Sequence, residues 1–176
     1  MQLLHSAKRI ALITLPVFAV CVLLLCVLAL SRRPPSESNL LENFHNHRAS
    51  YERLRDMLLS DDGLSRVASW GVETTNLVVT RPPAGNFPSS RYNEYLTLLK
   101  DINGEGAFRG RGQNPDVGVL QWASGWGGDT RHIAIYWLNH TPSNEVASLD
   151  NFYRTPKPRE PVFRHIDGAW YLWADW

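Results

Sequence analysis

The stretch RIALITLPVFAVCVLLLCVLAL, Arg9 to Leu30, limits what this chain can become more than any other. From Ile10 to Leu30 there are 21 residues without a charge. As a helix rising ~1.5 Å per residue they would cover roughly 30 Å, the hydrocarbon thickness of a bilayer. Pro16 lies in the first two turns and would bend such a helix without abolishing it. The run exceeds the ~7–15 apolar residues of a secretory signal core, which favours a retained anchor. Ala29-Leu30-Ser31 is the small-x-small pattern that the alternative, cleavage, would use. The lipid bilayer is therefore the first expected partner, through residues 10–30.

Charge does not orient this span, because Lys8 and Arg9 on one side balance Arg32 and Arg33 on the other. A long C-terminal domain crosses largely regardless of charge, so the N-terminus is expected in the cytoplasm. Cys21 and Cys26 both fall inside the run, leaving the remainder without a thiol. That suits an oxidising compartment and excludes a disulfide in the domain. The expected location is the inner (cytoplasmic) membrane, single-pass, with the C-terminal domain periplasmic. The expected organisation is an anchor over 1–31, a stalk over 32–38 stiffened by Pro34-Pro35, and a soluble domain over 39–176.

The net charge of +1 is unevenly spread. Residues 40–176 carry 14 basic and 16 acidic side chains, so the domain lacks the positive footprint that nucleic acid demands. No nucleic-acid partner is expected. The whole chain's 15 arginines outnumber its 3 lysines, but they are scattered, as on a solvated surface.

Within the domain, Leu40, Phe44, His47, Tyr51, Leu54 and Leu58 recur at alternating spacings of four and three. This predicts one long amphipathic helix from the Ser38 cap to the Asp62-Gly63 stop. RVASWGVE and TNLVVTRP read as two strands. SSRYNEYLTLLKDING reads as a second helix, with Tyr92, Tyr95, Leu96 and Leu99 on its apolar side and Asn103-Gly104 at its end. The period then changes to two in GAFRG, VGVLQWAS and RHIAIYWLN. A hairpin pairing Ser124 with Arg131 would gather Gly118, Leu120, Trp122, Ile133, Ile135 and Trp137 on one face. Val119, Gln121, Ala123, His132, Ala134 and Tyr136 would take the other. The first is the more apolar, so the helices are expected against it. Residues 140–161 form a long connection with a helical turn near EVASLDNF.

Asp167-Gly168 signals a closing hairpin. With Ile166 opposite Ala169, it would place Phe163, His165, Trp170 and Leu172 on the core side, with Trp176 continuing that line. Val162, Arg164, Ile166, Tyr171, Trp173 and Asp175 would take the far side, where Tyr171 and Trp173 would flank the Arg164 guanidinium. The fold class is thus α+β: a single N-terminal transmembrane helix, then two helices packed on one face of a mainly antiparallel sheet.

Chemical motifs are sparse. His45 and His47 in HNH lie two apart, about 200° around a helix, and cannot chelate one ion. Thiolate sites are excluded with the cysteines, so no metal and no cofactor are expected. The glycines of NGEGAFRGRG follow a helix instead of a strand, which does not cradle phosphate. Ser124, His132 and Asp129 are the least unfavourable nucleophile, base and orienting acid, although WASGW lacks the nucleophile elbow. Glu94, Glu105, Asp116 and Glu145 are carboxylates without a pairing pattern for glycoside hydrolysis.

Two further segments carry a resemblance. Phe44, His47, Arg48, Tyr51, Leu54 and Met57 fit a FxxHRxxFExLxxML helix, with Tyr51 in the place of the usual phenylalanine. Phe163, Arg164, Ile166, Gly168, Trp170, Tyr171 and Leu172 fit a closing Y/FRxIxxGWYLY hairpin. On these motifs the chain resembles a group of small, uncharacterised, single-pass membrane-anchored bacterial proteins. The resemblance implies a bacterial, envelope-facing location and assigns no catalytic residue.

The leading functional expectation is a non-enzymatic envelope protein that binds another protein, a neutralised toxin being one form of that partner. Its expected surface is Trp126, Tyr136, Arg164, Tyr171 and Trp173, with the 140–161 connection, since Tyr, Trp and Arg are favoured interface anchors. The alternatives are an envelope-acting hydrolase built on Ser124, His132 and Asp129, and a domain that binds a small ligand.

Overall fold

The computed structural model describes residues 33–81, 87–110, 115–125, 130–152 and 160–175, together with Val20 and Val22. In chain order the elements are α1 (Glu37–Asn46), α2 (Arg48–Ser60), β1 (Leu64–Ala68), β2 (Gly71–Thr74), β3 (Val79–Thr80), α3 (Ser89–Asp101), β4 (Gly106–Arg109), β5 (Val117–Ser124), β6 (Arg131–Trp137), α4 (Leu149–Phe152), β7 (Val162–Asp167) and β8 (Trp170–Asp175). The class is α+β, with eight strands in one mainly antiparallel sheet of order β3-β2-β1-β4-β5-β6-β8-β7. Among the described residues no helix is long and apolar enough to cross a membrane. The anchor expected over 10–30 lies outside them, apart from Val20 and Val22.

The long helix expected from Ser38 to Asp62 is two helices, and Ser36 is the cap, accepting the Asn39 N–H at 3.3 Å. His47 leaves the helical region at φ −120, ψ 25. Its carbonyl then starts α2 by accepting the N–H groups of Ser50 and Tyr51 at 2.9 and 3.3 Å. The break brings two rings onto one partner: the Phe44 and Tyr51 centroids lie 5.4 and 6.2 Å from that of Trp170. Asn43 spans the junction, donating to the Ile102 carbonyl at 2.8 Å and the Tyr51 hydroxyl at 3.0 Å. His47 turns outward to Asp101 at 3.2 Å. An apolar stripe position is thus filled by a polar contact.

RVASWGVE also divides differently. It holds a whole hairpin, β1 and β2 turning at Ser69-Trp70, while TNLVVTRP contributes only the two residues of β3. The second long helix runs Ser89–Asp101, and Asn103 adopts φ +52 where its end was expected.

Side-chain alternation decides the core. β5 and β6 pair Ser124 with Arg131, and Ile133 and Ile135 are buried, as expected. However, the register shifts between Leu120 and Trp122, so Gln121 is an extra residue in β5. Trp122 keeps its expected side, but everything before the bulge changes sides. Val117 and Val119 are the fully buried residues, sharing a face with Ile135 and Leu172, while Gly118 and Leu120 face away. Leu40, Phe44, Tyr51, Leu54, Tyr92, Tyr95 and Leu99 from the helices complete that core.

The closing hairpin is also offset by one residue. Asp167 pairs with Trp170 around a Gly168-Ala169 loop, with Gly168 at φ +57, and Ile166 is the bulged residue. Trp170 and Leu172 remain inside as expected, joined by Ala174. Phe163 and His165 are corrected to the open face, opposite Trp173 and Tyr171, and Arg164 is corrected to the helix side, opposite Leu172. Trp176 lies outside the described residues.

Arg164 there meets Glu37 at 2.8 Å. Glu37 is only 8% exposed, and its other oxygen accepts the Leu149 N–H at 2.5 Å. Its own N–H donates to Asp150 at 3.1 Å, so the first turns of α1 and α4 cap each other. This ties the connection to the core, where Leu149 and Phe152 pack. Glu37→Ala would leave the Leu149 N–H without its acceptor and remove the carboxylate partner of Arg164, at a cost of about 2–3 kcal/mol. Urea unfolding of the full chain should show that loss, and an unchanged midpoint would contradict the clasp.

Candidate functional site

Directly paired residues of antiparallel strands share a face, so the register resolves the open side of the sheet into rows. One row runs Arg66, Phe108, Gly118, Tyr136, Tyr171 and His165. The next runs Ala68, Gly106, Leu120, Ala134, Trp173 and Phe163. A third holds Ala123, His132 and Asp175.

The rings in these rows touch in sequence. A Cβ at Gly118 would collide with the Phe108 ring, so the glycine lets that ring lie across β5. Phe108 meets Tyr136 edge-on at 5.3 Å between centroids. Tyr136 meets Trp173 at 5.3 Å and Phe163 at 6.1 Å. Phe163 meets Tyr171 at 6.4 Å, and Tyr171 meets His165 at 5.1 Å. At one end the Arg66 guanidinium lies 5.8 Å from the Phe108 centroid. At another, His132 stacks on Trp173 at 6.4 Å with 20° between planes. These edge-to-face and offset geometries are the favoured ones for aromatic pairs.

The band is half shielded by itself. Tyr171 is 7% exposed, while Phe108, Tyr136, Phe163 and Trp173 are half-buried. Burial pushes the Tyr136 phenol well above its ordinary 10.0, and the carboxylates of Asp175 and Asp116 act in the same direction. Asp175 fixes His132: one of its oxygens lies 2.8 Å from both the ring Nδ1 and the backbone N–H, which donates to it.

Of the expected surface, Tyr136, Tyr171 and Trp173 come together here. Arg164 does not, because the offset hairpin turns it to Glu37 and the Ala147 carbonyl, the latter at 3.2 Å. Trp126 lies outside the described residues. Part of the 140–161 connection is packed instead of presented. Phe163 donates to the Asn144 carbonyl at 2.9 Å and accepts from the Val146 N–H at 2.7 Å, which covers the outer edge of β7.

Ser124 and His132 do not come together. Ser124 pairs with Arg131, one position before His132, so the two side chains leave the strand pair on opposite faces. Asp129 lies outside the described residues, and the carboxylate at His132 is Asp175. Glu94 is held by Arg53 and Arg91 at 2.6 and 2.9 Å, and the two guanidiniums hold its carboxyl below the usual carboxylate range. Among the described residues no His, Cys, Asp and Glu cluster could hold a metal ion. Phe108 and Phe163 were not expected at this surface, whereas Asp175 takes the far side of the hairpin as expected. The signal for Phe108 was available: an aromatic on one strand opposite a glycine on its neighbour.

Comparison with known proteins finds no matching family, no matching characterised sequence and no matching solved structure.

Burial also raises the Tyr51 and Tyr95 phenols, Tyr95 further because it donates to Asp61 at 2.8 Å. A raised folded-state value gives stability that is complete below the ordinary value of 10.0 and lost as pH rises beyond it. In an alkaline titration these three tyrosines should form phenolate only as the domain unfolds. Ionisation of all tyrosines near pH 10 with the native circular dichroism intact would contradict their burial.

Proposed function

We propose that this chain is a membrane-tethered, non-enzymatic binding module of the bacterial cell envelope. Residues 10–30 anchor it, the domain lies on the outer side of the inner membrane, and the open face of the sheet docks a partner protein. The observation that carries this reading is the continuous band of rings from Phe108 through Tyr136 and Trp173 to Phe163, on the side away from the helices. Rings already packed against one another lose little conformational freedom on binding. Tyr and Trp are the residue types that most often carry interface energy.

Covering roughly 300 Å² of such surface at ~25 cal/mol per Å² would yield about 7 kcal/mol before the costs of association. A tether raises local concentration, so contacts of that size suffice at a membrane. The hydrolase reading has no relay from Ser124 to His132 to support it.

In vivo crosslinking of the tagged full-length protein tests this. Trp173→Ala combined with Tyr136→Ala should reduce capture of its partner at least tenfold, in line with hot-spot losses of about 2 kcal/mol or more. Glu42→Ala, on the exposed side of α1, should leave it unchanged. Equal capture by both variants, with native circular dichroism, would refute this surface.

A further inference from the structure

A cavity of about 560 Å³ lies where β1 turns into β2 and α3 runs into β4. Its size is within the ~300–1,000 Å³ typical of small-molecule sites. Ala68 and Gly106, a pair in the register, contribute nothing larger than a methyl group to its lining. Trp70 and Phe108 contribute aromatic walls, and Leu96 and Leu120 apolar ones. The Trp70 turn is held from below: the Tyr92 hydroxyl, on α3, bonds the carbonyls of Ala68 and Ser69 at 2.9 and 3.2 Å. Trp70 itself is 43% exposed, so it is a large ring presented at a fixed turn instead of packed away.

The rim is charged asymmetrically. Arg48, Arg53, Arg55, Arg91, Arg109 and Arg164 each have a carboxylate partner. Arg66 and Lys100, which line the cavity, have none among the described residues, and Arg66 rests on the Phe108 ring. Glu105 is the one acid of the lining, so the mouth carries an excess of one positive charge.

A lining of small and aromatic side chains with one excess positive charge suits a planar, apolar body with an anionic end. We propose that this cavity binds an aromatic carboxylate, its ring system seated over Ala68 and Gly106 beside Trp70, and its carboxylate directed to Lys100 and Arg66. The cavity shares Phe108 and Arg66 with one end of the protein-docking band, but Trp70 and Lys100 lie outside that band, so either site can fail alone.

Calorimetric titration of the full-length protein with 2-naphthoate tests it, with 2-naphthylmethylammonium as the probe of opposite charge. The carboxylate should bind at least tenfold more tightly than the ammonium. Lys100→Glu, at an exposed position, should weaken naphthoate binding about five- to tenfold. Trp70→Ala should weaken it by a similar factor through loss of ring contact. Both variants should leave partner crosslinking intact, which distinguishes failure here from failure of the docking surface. No heat of binding, equal affinity for the two probes, or naphthoate affinity unchanged by both substitutions would overturn the proposal.

Discussion

The register of the sheet is the constraint on which everything else depends. Side chains of a strand alternate with a period of two, so one extra residue reverses every position on one side of it. Among the described strands the register shifts at Ser65 in β1, Gln121 in β5 and Ile166 in β7, and the last two decide which aromatic side chains take each face. Without the shift at Gln121, Val117 and Val119 would leave the core and Gly118 would enter it. Without the shift at Ile166, Phe163 would turn inward and Arg164 would face away from Glu37. The aromatic residues are thereby sorted into two sets. Phe44, Tyr51 and Trp170 close the interior beneath the helices, and Phe108, Tyr136, Trp173 and Phe163 form the band outside.

Polar contacts keep this sorting in place. The mutual capping of Glu37 and Asp150, with Arg164 on the same carboxylate, joins the first helix to the connection that precedes the last hairpin. That connection in turn covers the edge of β7, a common protection against unwanted pairing. Arg48 and Asp167 form an ion pair between α2 and the end of β7, and the guanidinium holds that carboxyl below its usual range. The opposite edge is managed by shortness: β3 has two residues, although Leu77, Val78 and Val79 beside and within it are more than half exposed. The protected edge is the one next to the aromatic band.

Much of this was legible in the amino-acid sequence. Helix spacing from Leu40 to Leu58, the alternation in VGVLQWAS and RHIAIYWLN, and the glycine turns define the α+β class and the Ser124–Arg131 pairing. Alternation also separates Trp170 from Tyr171 and Trp173, as the sheet does. The bulges were not legible, because nothing local marks Gln121 or Ile166 as extra. Their placement is set by tertiary partners, such as the Asn43 amide that donates to the Gln121 side chain at 3.2 Å. The helix break at His47 has the same origin, since the heptad-like spacing runs through it uninterrupted. The band was therefore half readable: Tyr136, Tyr171 and Trp173 follow from alternation, whereas Phe163 and the loss of Arg164 follow only from the offset hairpin.

On the proposed function, a partner occupies the open aromatic face in the membrane setting. Hydroxyl-radical footprinting of the full-length protein, in native membranes and again after purification, measures this directly. Trp173, Phe163 and Phe108 should be protected in membranes and labelled once purified, while Trp70 and the exposed side of α3 change little. Equal labelling of the three rings in both preparations would contradict that occupancy.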